Sequence, residues 1–235
     1  MFKDKKVWII NLVLYLITIA TDACFIVLGM PYIFKTISSV LFVILGIINF
    51  IFIFKLEQRN KLFKYFMLLG LVFACLGDIV LIDYFIYGAI LFAIGHVFFF
   101  VAYSILHKIN WKDIVIALAI FAVALVVILA LPIFSFNGML PVVIVYAFII
   151  SFMLGKAISN FAFNKEFKTQ NLIIMIGSIL FFLSDLMLLF NVFADVSNIF
   201  DIICLVLYYP AELILASSIY YSNIKLGNVE SHNEK

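Results

Sequence analysis

Eight apolar runs, each long enough to cross a bilayer as a helix, follow one another with only short polar connections. A crossing takes about 20 residues at about 1.5 Å rise each. The runs fall at 7–28, 32–54, 62–82, 84–106, 113–133, 139–161, 171–193 and 198–222. Pro31, Pro132 and Pro141 stand at run edges, where a residue without an amide hydrogen opens or ends a helix. Gly29, Asn137 and Gly138 supply turn chemistry beside them. The short alternating strands of a membrane β-barrel are not visible. The expected fold is all-α: a polytopic membrane protein with eight transmembrane helices in one domain over 1–222, and a polar, disordered cytoplasmic tail over 223–235.

Composition narrows the class further. Hydrophobic residues make up 67% of the chain and charged ones 12%, where a soluble domain takes about a quarter charged. No connection is long enough for a separate soluble domain. Cys24, Cys75 and Cys204 all lie within apolar runs and read as packing residues, with no disulfide, metal or cofactor framework. Lysines precede the first run as in a signal peptide, but that run is longer than a cleaved one and lacks a small-x-small site. It is expected to be a retained helix.

The basic residues then choose an orientation. Lys3, Lys5 and Lys6 precede the first run; Lys55, Arg59, Lys61 and Lys64 separate the second and third. Lys108 and Lys112 follow the fourth, Lys165 and Lys168 the sixth, and Lys225 and Lys235 the eighth. The intervening connections carry Asp83 or Asp195, or no charge at all. The alternation predicts both termini on the cytoplasmic side. Lys156, near a cytoplasmic end, is expected to snorkel.

Two aspartates sit in matched frames 107 positions apart: Gly70-LVFACL-Gly77-Asp78-IVL and Gly177-SILFFL-Ser184-Asp185-LML. A carboxylate in hydrocarbon costs several kcal/mol unless it is paired, protonated or facing a wet cavity. Four runs separate the two frames, which points to a four-plus-four parallel duplication, faint elsewhere in the chain.

Counting rise per residue from the outer edge gives each polar group a depth. Lys35 and Asp78 lie at roughly 5–6 Å, Asp22 at roughly 9 Å, Asp185 at roughly 12 Å, and His96 and Glu212 at roughly 18–20 Å, with Tyr208 and Tyr209 between. All are expected to line one cavity opening outward. Each also has a structural reading. Lys35 can form an ion pair with an aspartate, though one lysine cannot neutralise two. Asp22 is open between structural partner and site residue. His96 and Glu212 can bridge helices, and the tyrosines can simply pack. A single intramembrane histidine argues against a zinc hydrolase. No Ser-His-Asp set, GxSxG elbow, phosphate loop or nucleic-acid-binding pattern is present.

Several motifs together resemble the YhhN-like lysoplasmalogenase family of multi-pass membrane proteins, over most of the chain. They are Phe34-Lys35; Gly77-Asp78; Phe85-xx-Gly88-xxx-Phe92-xxx-His96, which falls on one helical face; Gly177 through Ser184-Asp185; Asn191-x-Phe193; and Tyr208-Tyr209-x-Ala211 with Ser217. Phe99 and Glu212 depart from the family pattern, which often has Tyr and Gln there.

The resemblance implies hydrolysis of the vinyl ether bond of a lysophospholipid substrate, giving a fatty aldehyde and a glycerophospho-alcohol. That chemistry starts with protonation of an alkene carbon and continues with water attack. Two carboxyl groups in different surroundings can divide that work. Asp78 and Asp185 are therefore the expected acid and base. Lys35 would meet the lipid phosphate, and His96, Tyr208, Tyr209, Asn191, Glu212 and Asp22 would complete the substrate site. The alternative is a small-solute or proton-coupled transporter, since duplicated halves with buried acids occur there too. Transporters interrupt spans in pairs, however, and Pro210 is mid-span with no counterpart.

Overall fold

The computed structural model of the chain describes residues 5–29, 31–56 and 60–223. Lys3, Arg59, Lys225, Lys235 and the tail beyond Asn223, to which the sequence reading assigns charge or disorder, lie outside the described residues. Eight helices follow in order: α1 (Lys5–Leu28), α2 (Ile33–Leu56), α3 (Lys61–Leu81), α4 (Phe85–Leu106), α5 (Trp111–Ala130), α6 (Leu140–Phe163), α7 (Lys168–Phe193) and α8 (Ile199–Ser218). A 3₁₀ turn over Tyr220–Asn223 follows α8. All eight are long and apolar enough to cross a membrane, which fits a multi-pass membrane protein. Their outward faces carry exposed Leu16, Val27, Val123 and Val145.

Helix boundaries follow local chemistry. Pro141 occupies the first turn of α6, where its missing N–H is not needed. Asn110 and Asp113 form a reciprocal capping box at the start of α5. Gly29 and Gly138 adopt positive φ in the turns before α2 and α6. Asn60 and Phe167, 107 positions apart, both take left-handed backbone at the N-caps of α3 and α7.

Helices α2 and α6 have 24 residues each and also begin 107 positions apart. Packing follows the same correspondence. α1 packs on α2 as α5 packs on α6; α2 meets α3 as α6 meets α7; α3 lies on α4 as α7 lies on α8; and α4 meets α6 as α8 meets α2. The result is a ring of α2, α3, α4, α6, α7 and α8, with α1 and α5 outside it. Accordingly α1 and α5 bury least of their length, and α6 and α8 most. The helix starts that carry Lys5, Lys61, Lys112 and Lys168 define a basic end; the connections with Asp83 and Asp195 define an acidic end.

Small residues let the ring close. A Cβ on Gly77 would fall 2.9 Å from the Phe92 ring, and one on Gly177 would fall 2.8 Å from Leu215. Polar seams fasten the periphery. Asn11 and Asn49 exchange amide hydrogen bonds of 3.0 Å, tying α1 to α2, and the Tyr15 hydroxyl meets Ser217 on α8 at 2.9 Å.

One expectation is corrected at the basic end. Lys156 does not snorkel: its side chain is fully buried, donates to Asp113 at 2.7 Å and reaches the Lys108 carbonyl at 3.2 Å. Ser159 also donates to Asp113. A partner on α5 makes burial cheaper than a stretched exit to water. Beside this pair, burial and then the Lys156 charge hold the His107 imidazole below the ordinary histidine range.

The tightest glycine contact against backbone yields a stability prediction. A Cβ on Gly88 would stand 2.6 Å from the Leu81 Cα, whereas one on Gly95 would stand 3.2 Å from the Gly70 carbonyl oxygen. Gly88→Ala is expected to destabilise by about 1–3 kcal/mol, clearly more than Gly95→Ala, in thermal unfolding of detergent-solubilised protein.

Candidate functional site

The intramembrane polar residues gather into two clusters, each centred on one aspartate. Asp78, on α3, lies 2.9 Å from the Lys35 ammonium of α2 and accepts from the Tyr209 hydroxyl of α8 at 2.9 Å. Ser39, one turn along α2 from Lys35, also donates to it. Tyr209 is shared further with the Lys35 carbonyl at 3.1 Å. The carboxylate is thus enclosed by one cation and two hydroxyls, and only 4% exposed.

Asp185, on α7, has different company. The Tyr146 hydroxyl of α6 donates to it at 2.7 Å, and His96 Nε2 of α4 lies 3.2 Å away. His96 Nε2 is also 2.9 Å from the Tyr146 hydroxyl, so the three groups form a closed triangle. Lys35 serves Asp78 only, and no lysine or arginine stands at ion-pair distance from Asp185 among the described residues. Each aspartate therefore draws partners from the preceding helix (two for Asp78, one for Asp185) and one from the fourth helix of the other half of the chain. Ser39 and Tyr146 are themselves 107 positions apart.

One cavity lined by all of these groups was expected; the crevice on Asp185 does not take in Asp78. A crevice of about 90 Å³ opens among α3–α7 toward the acidic end, walled by Phe85, Ala89, Phe92, Val143, Tyr146 and Asp185. Asp185 is its only charged lining residue, and Asp78 is not among the residues that line it. Contact between the two acids runs through aromatic rings. His96 packs on Phe181 at 4.7 Å, Phe181 on Tyr208 at 5.4 Å, and Tyr208 on Tyr209, the partner of Asp78, at 5.0 Å. Phe92 closes a triangle with Phe181 and Tyr208. Large side chains at this central crossing fill the space that the depth count left open.

The remaining expected site residues scatter around these clusters. Tyr208 reaches only the Ala74 carbonyl, at 3.5 Å. Glu212 is fully buried on α8, and neither carboxyl oxygen has a hydrogen-bond partner among the described residues. It lies within electrostatic reach of both Asp185 and Asp78. Asp22 is 6% exposed on α1, with Oδ1 unpartnered. Asn191 belongs to neither cluster; it donates to Asp201 at 3.3 Å at the acidic end of α7. Sequence reasoning missed Ser39, Tyr146 and Asp201. The first two carry a signal, because they stand 107 positions apart, the same offset as the two aspartates.

The Asp78 cluster predicts a stability asymmetry. Lys35→Met strands a buried carboxylate and is expected to cost about 3 kcal/mol. Adding Asp78→Asn is expected to recover part of that loss, which a double-mutant cycle by thermal unfolding measures.

A model of the YhhN family matches residues 30–219. The match takes in both clusters and every ring helix, so the chain belongs to the YhhN family. Neither a curated protein nor a solved structure matches it.

Proposed function

We propose, with YhhN membership as the premise, that this chain hydrolyses the vinyl ether bond of lysoplasmalogens, releasing a fatty aldehyde and a glycerophospho-alcohol. The observation that carries this reading is Asp185: a carboxyl group steadied by a tyrosine and a histidine on the wall of an otherwise apolar crevice. Such a crevice suits an alkenyl chain, and the acid on its wall suits the alkene.

The reaction needs a proton delivered to carbon. In our reading the Asp185 proton goes to the alkene β-carbon, the π electrons form the new C–H bond, and positive charge is left on the α-carbon and its ether oxygen. Water adds to the α-carbon and gives a proton back to Asp185. The resulting hemiacetal collapses: its C–O bond to glycerol breaks, the glycerol oxygen takes a proton, and the remaining hydroxyl loses one as the aldehyde forms. Tyr146 and His96 orient Asp185 and pass protons.

Asp78, matched by the Lys35 charge, is the second carboxylate. It holds Tyr209 and, through Tyr208 and Phe181, the ring stack behind His96. Lys35, 13% exposed, meets the lipid phosphate.

Two further parts of the reading concern architecture. The matched helix starts, N-caps and packing pairs support descent from a duplicated four-helix unit. The basic end, with Lys5, Lys61, Lys112 and Lys168, supports cytoplasmic termini in a cell membrane. The same paired arrangement is what would favour a transporter, and sealed vesicles separate the two readings.

Purified protein in detergent is expected to release aldehyde and glycerophospho-alcohol in equal amounts from a lysoplasmalogen. Asp185→Asn is expected to slow this at least ~100-fold, and Asp78→Asn, which acts only through Tyr209 and the ring stack, to slow it less. Wild-type rates in both folded variants, or solute uptake by vesicles without any detergent turnover, would overturn the proposal.

A further inference from the structure

Helices α4 and α7 both flank α6 in the ring, and polar side chains join them at three levels. Within the site, His96 Nε2 lies 3.2 Å from Asp185. Closer to the basic end, the Tyr103 hydroxyl meets Ser178 at 3.0 Å, with both side chains fully buried. At the basic end itself, His107 Nε2 lies 3.2 Å from the Asn171 amide nitrogen. Asn171, Ser178 and Asp185 stand two turns apart on one face of α7, so the three rungs set its height against α4. Asn160 of α6 fastens the outer two rungs. Its amide donates to the Tyr103 carbonyl at 2.9 Å, and its own carbonyl accepts from Asn171 at 3.3 Å.

The outermost rung works in one protonation state only. Asn171 Nδ2 carries two hydrogens and also faces the carbonyls of Asn160 at 3.3 Å and Glu166 at 3.0 Å. Those carbonyls fix the amide nitrogen as the donor, so His107 Nε2 accepts and the imidazole is neutral. A proton on Nε2 sets donor against donor. Turning the amide over gives no relief, because Oδ1 would then face both carbonyls. The charged groups around His107 are Lys156 of α6, Asp113 of α5 and Glu166 of the α6–α7 connection, with Lys108 next in the chain. Lys156 and Asp113 already hold each other at 2.7 Å. His107 itself is partly exposed at the end of α4, within reach of protons from the medium.

We propose that His107 and Asn171 position Asp185 against His96, and that a proton taken up by His107 releases this rung and lowers activity. Both are positioning residues that act through the height of α7. Protonation costs the folded chain a hydrogen bond that the unfolded chain does not have. The rung's stability is therefore present above the ordinary histidine range and lost as pH falls below it. The effect on rate rests on the reading of Asp185 as the acid; the effect on stability does not.

Melting temperature and aldehyde release from a lysoplasmalogen, followed on the full-length protein in detergent from about pH 8 to about pH 5.5, test this. His107→Gln keeps a neutral side chain that accepts from Asn171 and takes up no proton in that range. At the acid end it is expected to melt above wild type and to release aldehyde about tenfold faster. His96 is present in both proteins, so the difference between them reads position 107. Asn171→Ala is expected to lower kcat about tenfold across the range with KM little changed, and to abolish the effect of His107→Gln when the two are combined. A melting temperature or a rate that falls with acid in His107→Gln as it does in wild type overturns the proposal. If wild type itself shows no turnover, the melting curves decide alone: acid resistance in His107→Gln leaves the rung assigned and removes only the enzymatic reading.

Discussion

Enclosure of Asp78 by Lys35, Ser39 and Tyr209 is the interaction from which the rest of this architecture follows. In an apolar bundle an unmatched carboxylate has no water to fall back on, so every group that touches it must come from the protein. Those groups sit on α2 and α8, from opposite ends of the chain. Satisfying one side chain therefore closes the ring of helices. The same logic operates at Asp185 through α6 and α4, and at Asp113 through α6.

The two aspartates show how one arrangement supports two chemistries. Position 35 holds a lysine, whereas the equivalent position in the second half, 142, holds a valine. That difference leaves Asp78 saturated and Asp185 beside an apolar crevice. Tyr146, standing where Ser39 stands in the first half, fills part of the space and turns its hydroxyl on the acid.

The helices were legible in the sequence because hydropathy acts over twenty residues at a time and the prolines and glycines mark the turns. The motif glycines stood out as matched positions, and the structure supplies their reason: Gly77 packs beneath Phe92. Position along each helix was readable, but rotation about its axis was not. Asp78 and Asp185 were therefore expected to share a cavity, and Phe92, Phe181 and Tyr208 occupy the region between their clusters instead. Lys156 misled for a related reason: a lysine near a helix end looks solvated until its partner Asp113, on another helix, is known. Tyr146 resembles any packing aromatic unless its frame is laid over that of Ser39.

The Lys156–Asp113 pair fixes how two neighbouring helices stand together. Lys156 lies toward the end of α6 and Asp113 in the first turn of α5, so the pair clamps the open end of an antiparallel hairpin whose other end is the Leu131–Met139 turn. Separated, each helix would carry an unmatched buried charge; joined, they meet the rest of the bundle as a neutral unit.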